Sequence, residues 1–156
     1  MEKIKVIFLD VDGVLNNRKT TRRTTQTLYP FVGVRHIKNL KRIINSTGAK
    51  IVLSSDWRCD RDNPKCNEDF LELKHELLRW GIHFYGFTPE IKSGHRGEEI
   101  NLWLLEHPEV SNFVILDDRE DIEPNRDHWV KTTMDTGLGK KETEDAIKIL
   151  LEKQKE

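Results

Sequence analysis

What this sequence lacks narrows its class before any motif is read. It has no long apolar run: the segment Val6 to Leu9 is interrupted by Asp10, too early for a signal peptide or a membrane-spanning helix, so a cytosolic protein is expected. Neither sign of charge dominates, with 26 Lys and Arg against 27 Asp and Glu. The net charge of -1 gives no whole-molecule attraction to nucleic acid or membrane, and any site for a polyanion must be local. Cysteine is scarce as well. Cys59 and Cys66 are spaced too widely for the usual zinc pair, no second pair follows, and they read as reduced loop thiols. Repeats, low-complexity tracts and Pro/Gly-rich linkers are missing, so the 156 residues are expected to form one domain that buries its core without a disulfide or metal staple.

What is present alternates. Short runs rich in β-branched and aromatic residues, at 4–9, 50–54, 82–85, 112–116 and 128–132, read as strands. Segments of helical period lie between them. "VRHIKNLKRIINSTG" sets Ile37, Leu40, Ile43 and Ile44 on one face and stops near Gly48. "NEDFLELKHELLRWG" offers Asn67 as N-cap, acids in its first turn, a stripe of Phe70, Leu73, Leu77 and Trp80, and Gly81 as its stop. "GEEINLWLLEHP" starts near Gly97 and ends before Pro108, and "ETEDAIKILLEK" turns Ala146, Ile149 and Leu150 inward. Trp80, Trp103 and Trp129 fall on apolar faces and read as core. Strand and helix in alternation predict a three-layer α/β/α, Rossmann-like domain on a mostly parallel five-stranded sheet. Residues 16–32 and 58–66 carry no period, and loops of that length in a small domain are usually functional or flexible.

Ligands of open parallel sheets bind outside the carboxyl ends of the strands, and this sequence puts its unusual residues there. Asp10 and Asp12 follow the first strand, Ser54, Ser55 and Asp56 the second, Asp117 and Asp118 the fourth, with Asp121 one turn further on. Singly each has an ordinary use, as a turn pair, a helix cap or a solvated loop. Together at one edge the acids repel one another and raise each other's pKa. A hard divalent cation relieves that cost, and Mg²⁺ favours a few carboxylates together with waters and a substrate phosphate. The pattern therefore predicts a metal and a phosphate.

"FLDVDGVLN", "IVLSS", the Lys or Arg before a helix in "IKSGHRGEEI", and "FVILDDRED" resemble, in order, the four motifs of the haloacid dehalogenase (HAD) superfamily of phosphotransferases, over nearly the whole chain. "SSDWR", "RGEEINLWL" and "TTMDTGL" further resemble a small branch of that superfamily associated with phage and nucleic-acid end repair. The resemblance implies Mg²⁺ as cofactor and Asp10 as a nucleophile that carries an aspartyl-phosphate. It implies Asp12 as acid and then base, with its backbone carbonyl on the metal, Asp117 as a metal ligand, Asp118 acting through water, and Asp121 orienting the shell. Ser54 and Ser55 are the candidates for phosphate binding, with Ser54 preferred and Ser55 read as a cap. The third-motif cation is Arg96 or Lys92, the planar fork favouring Arg96. Trp57 and Arg58 are placed to stack on and grip a base or sugar-phosphate, although packing is an equal use for Trp57.

The chain leaves no room for the large cap domain that many such phosphatases carry: 17–34 suffices only for a flap, and 58–91 for a loop, helix and strand. An open site suits phosphates at the ends of large molecules. The flap carries Arg18, Lys19, Arg22 and Arg23, read as a cationic arm for a nucleic-acid backbone. The expected activity is thus a Mg²⁺-dependent phosphomonoesterase acting on a polynucleotide end, or on nucleotides or other small phosphoesters. Two other classes share some of these residues. A phospho-receiver domain should end its third strand in the acceptor acid, where this chain has "FYGF"; a module whose acids only hold a metal keeps the same ligands without turnover. His36, His95 and His128 have no partner spacing and are assigned no chemistry.

Overall fold

Alternate residues of the first strand face opposite ways, and the helices sort themselves accordingly. In the computed structural model, which describes residues 2–58 and 68–152, β1 (Ile4–Leu9) lies at the centre of the sheet. Its Ile7 and Leu9 pack with Ile37, Leu40 and Ile43 of α1 (Val34–Thr47), Phe70, Leu73 and Leu77 of α2 (Glu68–Arg79), and Ala146 and Leu150 of α4 (Lys140–Leu151). Val6 and Phe8 face the other way, onto Ile100 and Trp103 of α3 (Arg96–Leu105). Both faces are covered, as fully apolar parallel strands require.

The sheet is five-stranded and parallel throughout, in the order β3-β2-β1-β4-β5, with β2 at Lys50–Leu53, β3 at Phe84–Phe87, β4 at Val110–Asp117 and β5 at Trp129–Lys131. The chain winds outward from β1 through β2 to β3 and then returns to the other side of β1 as β4. The crevice where the order reverses, between the ends of β1 and β4, is the usual ligand position of such a sheet. Backbone bonds continue past the strands there: Asp10 N donates to Leu116 O (3.0 Å), Ser54 N to Leu9 O (2.8 Å) and Thr132 N to Asp117 O (3.2 Å). These bonds hold the ends of β1, β2, β4 and β5 abreast.

Element boundaries follow the local chemistry. Gly48 closes α1 at φ 72° with its N–H on Ile44 O. β3 begins two residues later than the apolar run at 82–85 suggests, because Ile82 is used to end α2: Gly81 takes φ 74°, and Ile82, itself buried, donates to Leu77 O (2.9 Å). That is the helix-ending arrangement in which an apolar residue after the glycine packs back on the last turn. α3 starts one residue earlier than the sequence pattern suggests, at Arg96, with the His95 ring accepting from Glu98 N (3.2 Å). Between β1 and α1 the chain forms a loop with a single antiparallel bridge, Arg23 to Pro30. Cys59, Cys66 and Asn67 lie outside the described residues. Among the described residues no helix is long and apolar enough to cross a membrane.

Gly97 sets how closely α3 approaches the loop after β4. A Cβ on it would lie 1.9 Å from Glu123 O and 2.7 Å from Ile122 O, both backbone atoms, and Gly97 N donates to Asp121 O (2.8 Å). Gly97→Ala is expected to cost roughly 3 kcal/mol or more by overpacking against backbone, lowering the thermal midpoint by about 6–12 °C. Gly48→Ala, which meets open space but keeps the left-handed φ, should cost about 1–2 kcal/mol. Equal losses in a thermal melt would show that close packing at Gly97 is not what matters.

Candidate active site

Three strand ends and one helix start supply the site. Asp10 follows β1, Ser54 and Ser55 follow β2, Asp117 ends β4 with Asp118 next to it, and Arg96 opens α3. The Arg96 side chain is 2% exposed and reaches under the strand ends. Its Nη1 donates to Ser54 O (2.7 Å), its Nε lies 3.0 Å from Asp117 Oδ2, and its Nη2 lies 4.0 Å from Asp10 Oδ1. Among the described residues Asp10, Asp117 and Asp118 form the one group whose ligand atoms come close enough to share a metal ion, all within 4.8 Å. Gly13 makes room for it: at φ 79° it carries no Cβ, and one there would meet Asp118 Oδ2 at 2.5 Å.

The electrostatics of the group fit a hard dication. Burial pushes the Asp10 carboxyl well above its ordinary value, the Asp117 charge beside it adds to the rise, and Arg96 offsets part of it. Asp117 is raised too, chiefly by burial, with Arg96 opposing. Three carboxylates against one guanidinium leave two uncompensated negative charges when all are ionised, which one divalent cation with oxygen ligands neutralises. The Ser54 hydroxyl beside them is buried and has no hydrogen-bond partner among the described residues. A buried orphan hydroxyl next to uncompensated charge is what a phosphoryl oxygen and its metal would satisfy.

Asp12 stands apart from the acids, and its carboxylate is held by three donors. Asn16 Nδ2 donates to Oδ1 (3.1 Å), while Trp57 Nε1 (3.2 Å) and Tyr29 Oη (3.3 Å) donate to Oδ2. The Asn16 amide oxygen also accepts from Gly13 N (2.9 Å), tying this clamp to the turn after β1. The Asp12 charge pushes the Tyr29 phenol up, so the hydroxyl keeps its proton at neutral pH. Tyr29 and Trp57 meet edge to face with ring centroids 5.6 Å apart. Neither Asn16 nor Tyr29 carries a functional signal in the sequence. Asn16 reads there as loop, and Tyr29 lies in the stretch without a period.

Other residues expected at the site stand elsewhere. Lys92 is exposed and takes no part in the group, leaving Arg96 as the cation among the acids. Asp121 is ion-paired with Arg119 and accepts from Arg96 N (3.1 Å), so it fixes the start of α3 and stands outside the group of three acids. Ser55 Oγ accepts from Trp57 N (3.2 Å) within the turn after β2, where no described helix starts, so it stabilises a turn and does not cap a helix. Arg58 is not free to grip a substrate: it is spent on Thr88 Oγ1 (3.0 Å) and buried Glu99 (3.1 Å), bracing the loop after β2 against α3. The arm is not one set of free cations either. Arg22 pairs with Glu76 (3.3 Å) over the Phe31 ring, Arg18 pairs with Asp135 (3.0 Å), and Arg23 and Lys19 are exposed. Trp57, 8% exposed, packs and also holds Asp12 through its indole N–H.

The architecture and this constellation of strand-end acids define an α/β domain of the HAD type. Residues 6–143 match the family described as the HAD domain in Swiss Army Knife RNA repair proteins, and the chain belongs to that family. No curated protein and no solved structure matches the chain.

The raised Asp10 carboxyl makes a prediction for the metal-free fold. A carboxyl raised in the folded state costs stability once it must ionise, so that cost is absent below the unfolded value of about 4 and grows as pH rises through the folded value. In EDTA, Asp10→Asn is therefore expected to melt above the parent at neutral pH, with the gap closing towards a pH of about 4. A gap that stays constant or widens on acidification would show that Asp10 ionisation is not the cause.

Proposed function

We propose that this protein is a Mg²⁺-dependent phosphomonoesterase that removes phosphate from a polynucleotide end through an aspartyl-phosphate on Asp10. The observation that carries this reading is the meeting, at one sheet edge, of a group of three carboxylates, the buried Arg96 fork and the orphan Ser54 hydroxyl. The family's RNA-repair description supports the nucleic-acid side of it. A bound Mg²⁺ would be held by Asp10, Asp117 and Asp118 and would supply charge neutralisation at the phosphoryl group.

The chain's own residues then divide the work. A carboxylate oxygen of Asp10 attacks phosphorus, the bond to the leaving oxygen breaks with its electron pair on that oxygen, and Asp12, protonated when the substrate binds, gives its proton to that oxygen. Asp12, now a carboxylate, takes a proton from water; the water oxygen attacks phosphorus, the bond to Asp10 breaks, and inorganic phosphate leaves. Arg96 and the Ser54 hydroxyl hold phosphoryl oxygens through both steps. Asn16, Trp57 and Tyr29 keep the Asp12 carboxylate aimed, which makes them positioning residues.

A phosphate-release screen tests the reading, setting 3'- and 5'-phosphorylated oligonucleotides against mononucleotides and sugar phosphates. Turnover is expected with Mg²⁺, none in EDTA, and preference for an oligonucleotide end; preference for a small ester would move the substrate to that class. Asp10→Asn should fall below about a hundredth of the parent rate, as loss of a nucleophile generally costs several powers of ten. A faster variant would exclude the covalent route.

Asp12 and its clamp have a separate signature. With a poor alkoxide leaving group Asp12→Asn should lose about a hundredfold or more, and far less with para-nitrophenolate, which needs little protonation. Tyr29→Phe and Trp57→Phe should shift leaving-group dependence in the same direction by less. Equal losses on both substrates would mean that these side chains support the fold or the metal, not proton transfer.

A further inference from the structure

The two flanks of the loop between β1 and α1 differ sharply in charge. On the α2 side a cavity of about 750 Å³ is lined by Glu68, Glu72 and Glu76, with Arg22 and Arg79 both drawn onto Glu76. Thr25 and Thr27 dock the loop there, on Glu72 and Asp69. Both arginines of that cavity are thus spent on an acid, and a polyanion has little there to attract it. The other flank carries a groove of about 610 Å³ between the loop, α1 and the start of α4. Lys19, Arg35, Arg42 and Lys140 line it, against one acid, Asp135, which is already paired with Arg18. Among the described residues Lys19, Arg35 and Lys140 have no acidic partner, and Arg42 reaches Glu144 only at 4.0 Å.

The groove begins one residue along the chain from the clamp on Asp12. Asn17 lines it, next in the chain to the Asn16 that holds Asp12, so the two are about 3.8 Å apart at Cα. The loop after β5 forms its other lip and is welded to this one: Leu138 N donates to Val14 O (2.8 Å), Arg18 N to Met134 O (2.7 Å) and Asn17 Nδ2 to Thr136 O (3.3 Å). Gly137 permits the approach, since a Cβ there would lie 2.8 Å from Asn16 O and 2.8 Å from the His36 ring. His36 forms part of the floor through Leu138 O (3.2 Å), and burial pushes its imidazole down, so the positive charge is that of the Lys and Arg side chains. Four cations from three separate chain segments thus line one groove, whose Asn17 is the chain neighbour of the Asn16 that holds Asp12, on a molecule of net charge -1.

We infer that this groove binds the backbone of a single-stranded polynucleotide, taking the phosphates that precede the reacting end while the terminal phosphate enters the acid group. The inference rests on the proposed polynucleotide substrate and gives it a path: along Lys19, Arg35, Arg42 and Lys140, away from the acidic flank of α2. Flexible cations along a groove suit a backbone read by charge and not by sequence. Of the basic residues in the arm, Lys19 alone belongs to this path.

The test separates binding from chemistry. Anisotropy of a fluorescent, unphosphorylated oligonucleotide is followed against salt for the parent and for the variant combining Lys19→Ala, Arg35→Ala, Arg42→Ala and Lys140→Ala. Thermal melting reports on the variant's fold. The parent should bind with a steep salt dependence, and the variant should bind more weakly with the slope flattened by up to about 3 units, at about 0.7 for each single-strand phosphate that is no longer neutralised. In turnover, the ratio of kcat/KM for a phosphorylated oligonucleotide to that for para-nitrophenyl phosphate should fall in the variant. A folded variant that binds oligonucleotide like the parent, with the same slope, overturns the groove and leaves the polynucleotide reading standing. A parent that hydrolyses small esters but neither binds nor dephosphorylates oligonucleotides overturns both.

Discussion

The site depends on one buried guanidinium. Asp10 and Asp117 are both buried beside each other, and ionised carboxylates in that position cost several kcal/mol each unless something opposes their charge. Arg96 opposes it from inside the fold, and its hydrogen bond to the Ser54 carbonyl draws the β2 end into the same arrangement. A lysine in the exposed loop before α3 could offer the charge but not the fork that spans three strand ends. Much of the surrounding structure keeps Arg96 in place: Asp121 receives its backbone N–H, Gly97 lets the first turn of α3 rest on the 122–123 backbone, and Arg58 with Glu99 braces that helix to the loop after β2.

Incomplete neutralisation is as important as the neutralisation. One guanidinium among three carboxylates leaves charge for a dication, and the orphan Ser54 hydroxyl leaves a donor for a phosphoryl oxygen. Asp12 is excluded from this group and clamped by neutral donors instead. The same residue type therefore meets two environments a few residues apart. One suits metal and nucleophile, the other suits a proton carrier whose direction matters.

The near-neutral net charge conceals a polarised surface around that site. Acids on α2 capture the arm's Arg22 and hold the loop down through threonines, so the loop between β1 and α1 is committed to one flank. That commitment sets Tyr29 against Asp12 and leaves cations lining the opposite flank, between α1 and α4. Docking of the loop thus couples the aim of the acid to the charge of the approach.

The amino-acid order by itself determined the alternation of strand and helix, the parallel sheet, and the placing of Asp10, Ser54 and Asp117 at strand ends, because periodicity and strand-terminal acids are local properties of the chain. It also favoured Arg96 over Lys92 for its planar fork, and burial of Arg96 under the strand ends, with Lys92 exposed, is what the structure adds. The apolar pattern sets the third strand at 82–85 instead of 84–87, because Ile82 looks identical in a strand and in a helix-ending turn until Gly81 takes its positive φ. What the tertiary structure alone decided is which long side chains remain free. Arg22, Arg58 and Asp121 each had the right charge near the right motif, and each is engaged by a partner between 25 and 54 positions away in the chain or by a neighbour the fold turns towards it. Such ion pairs, and the clamp on Asp12 from Tyr29 and Trp57, 17 and 45 positions away, form only when packing brings the segments together, and no local pattern records them.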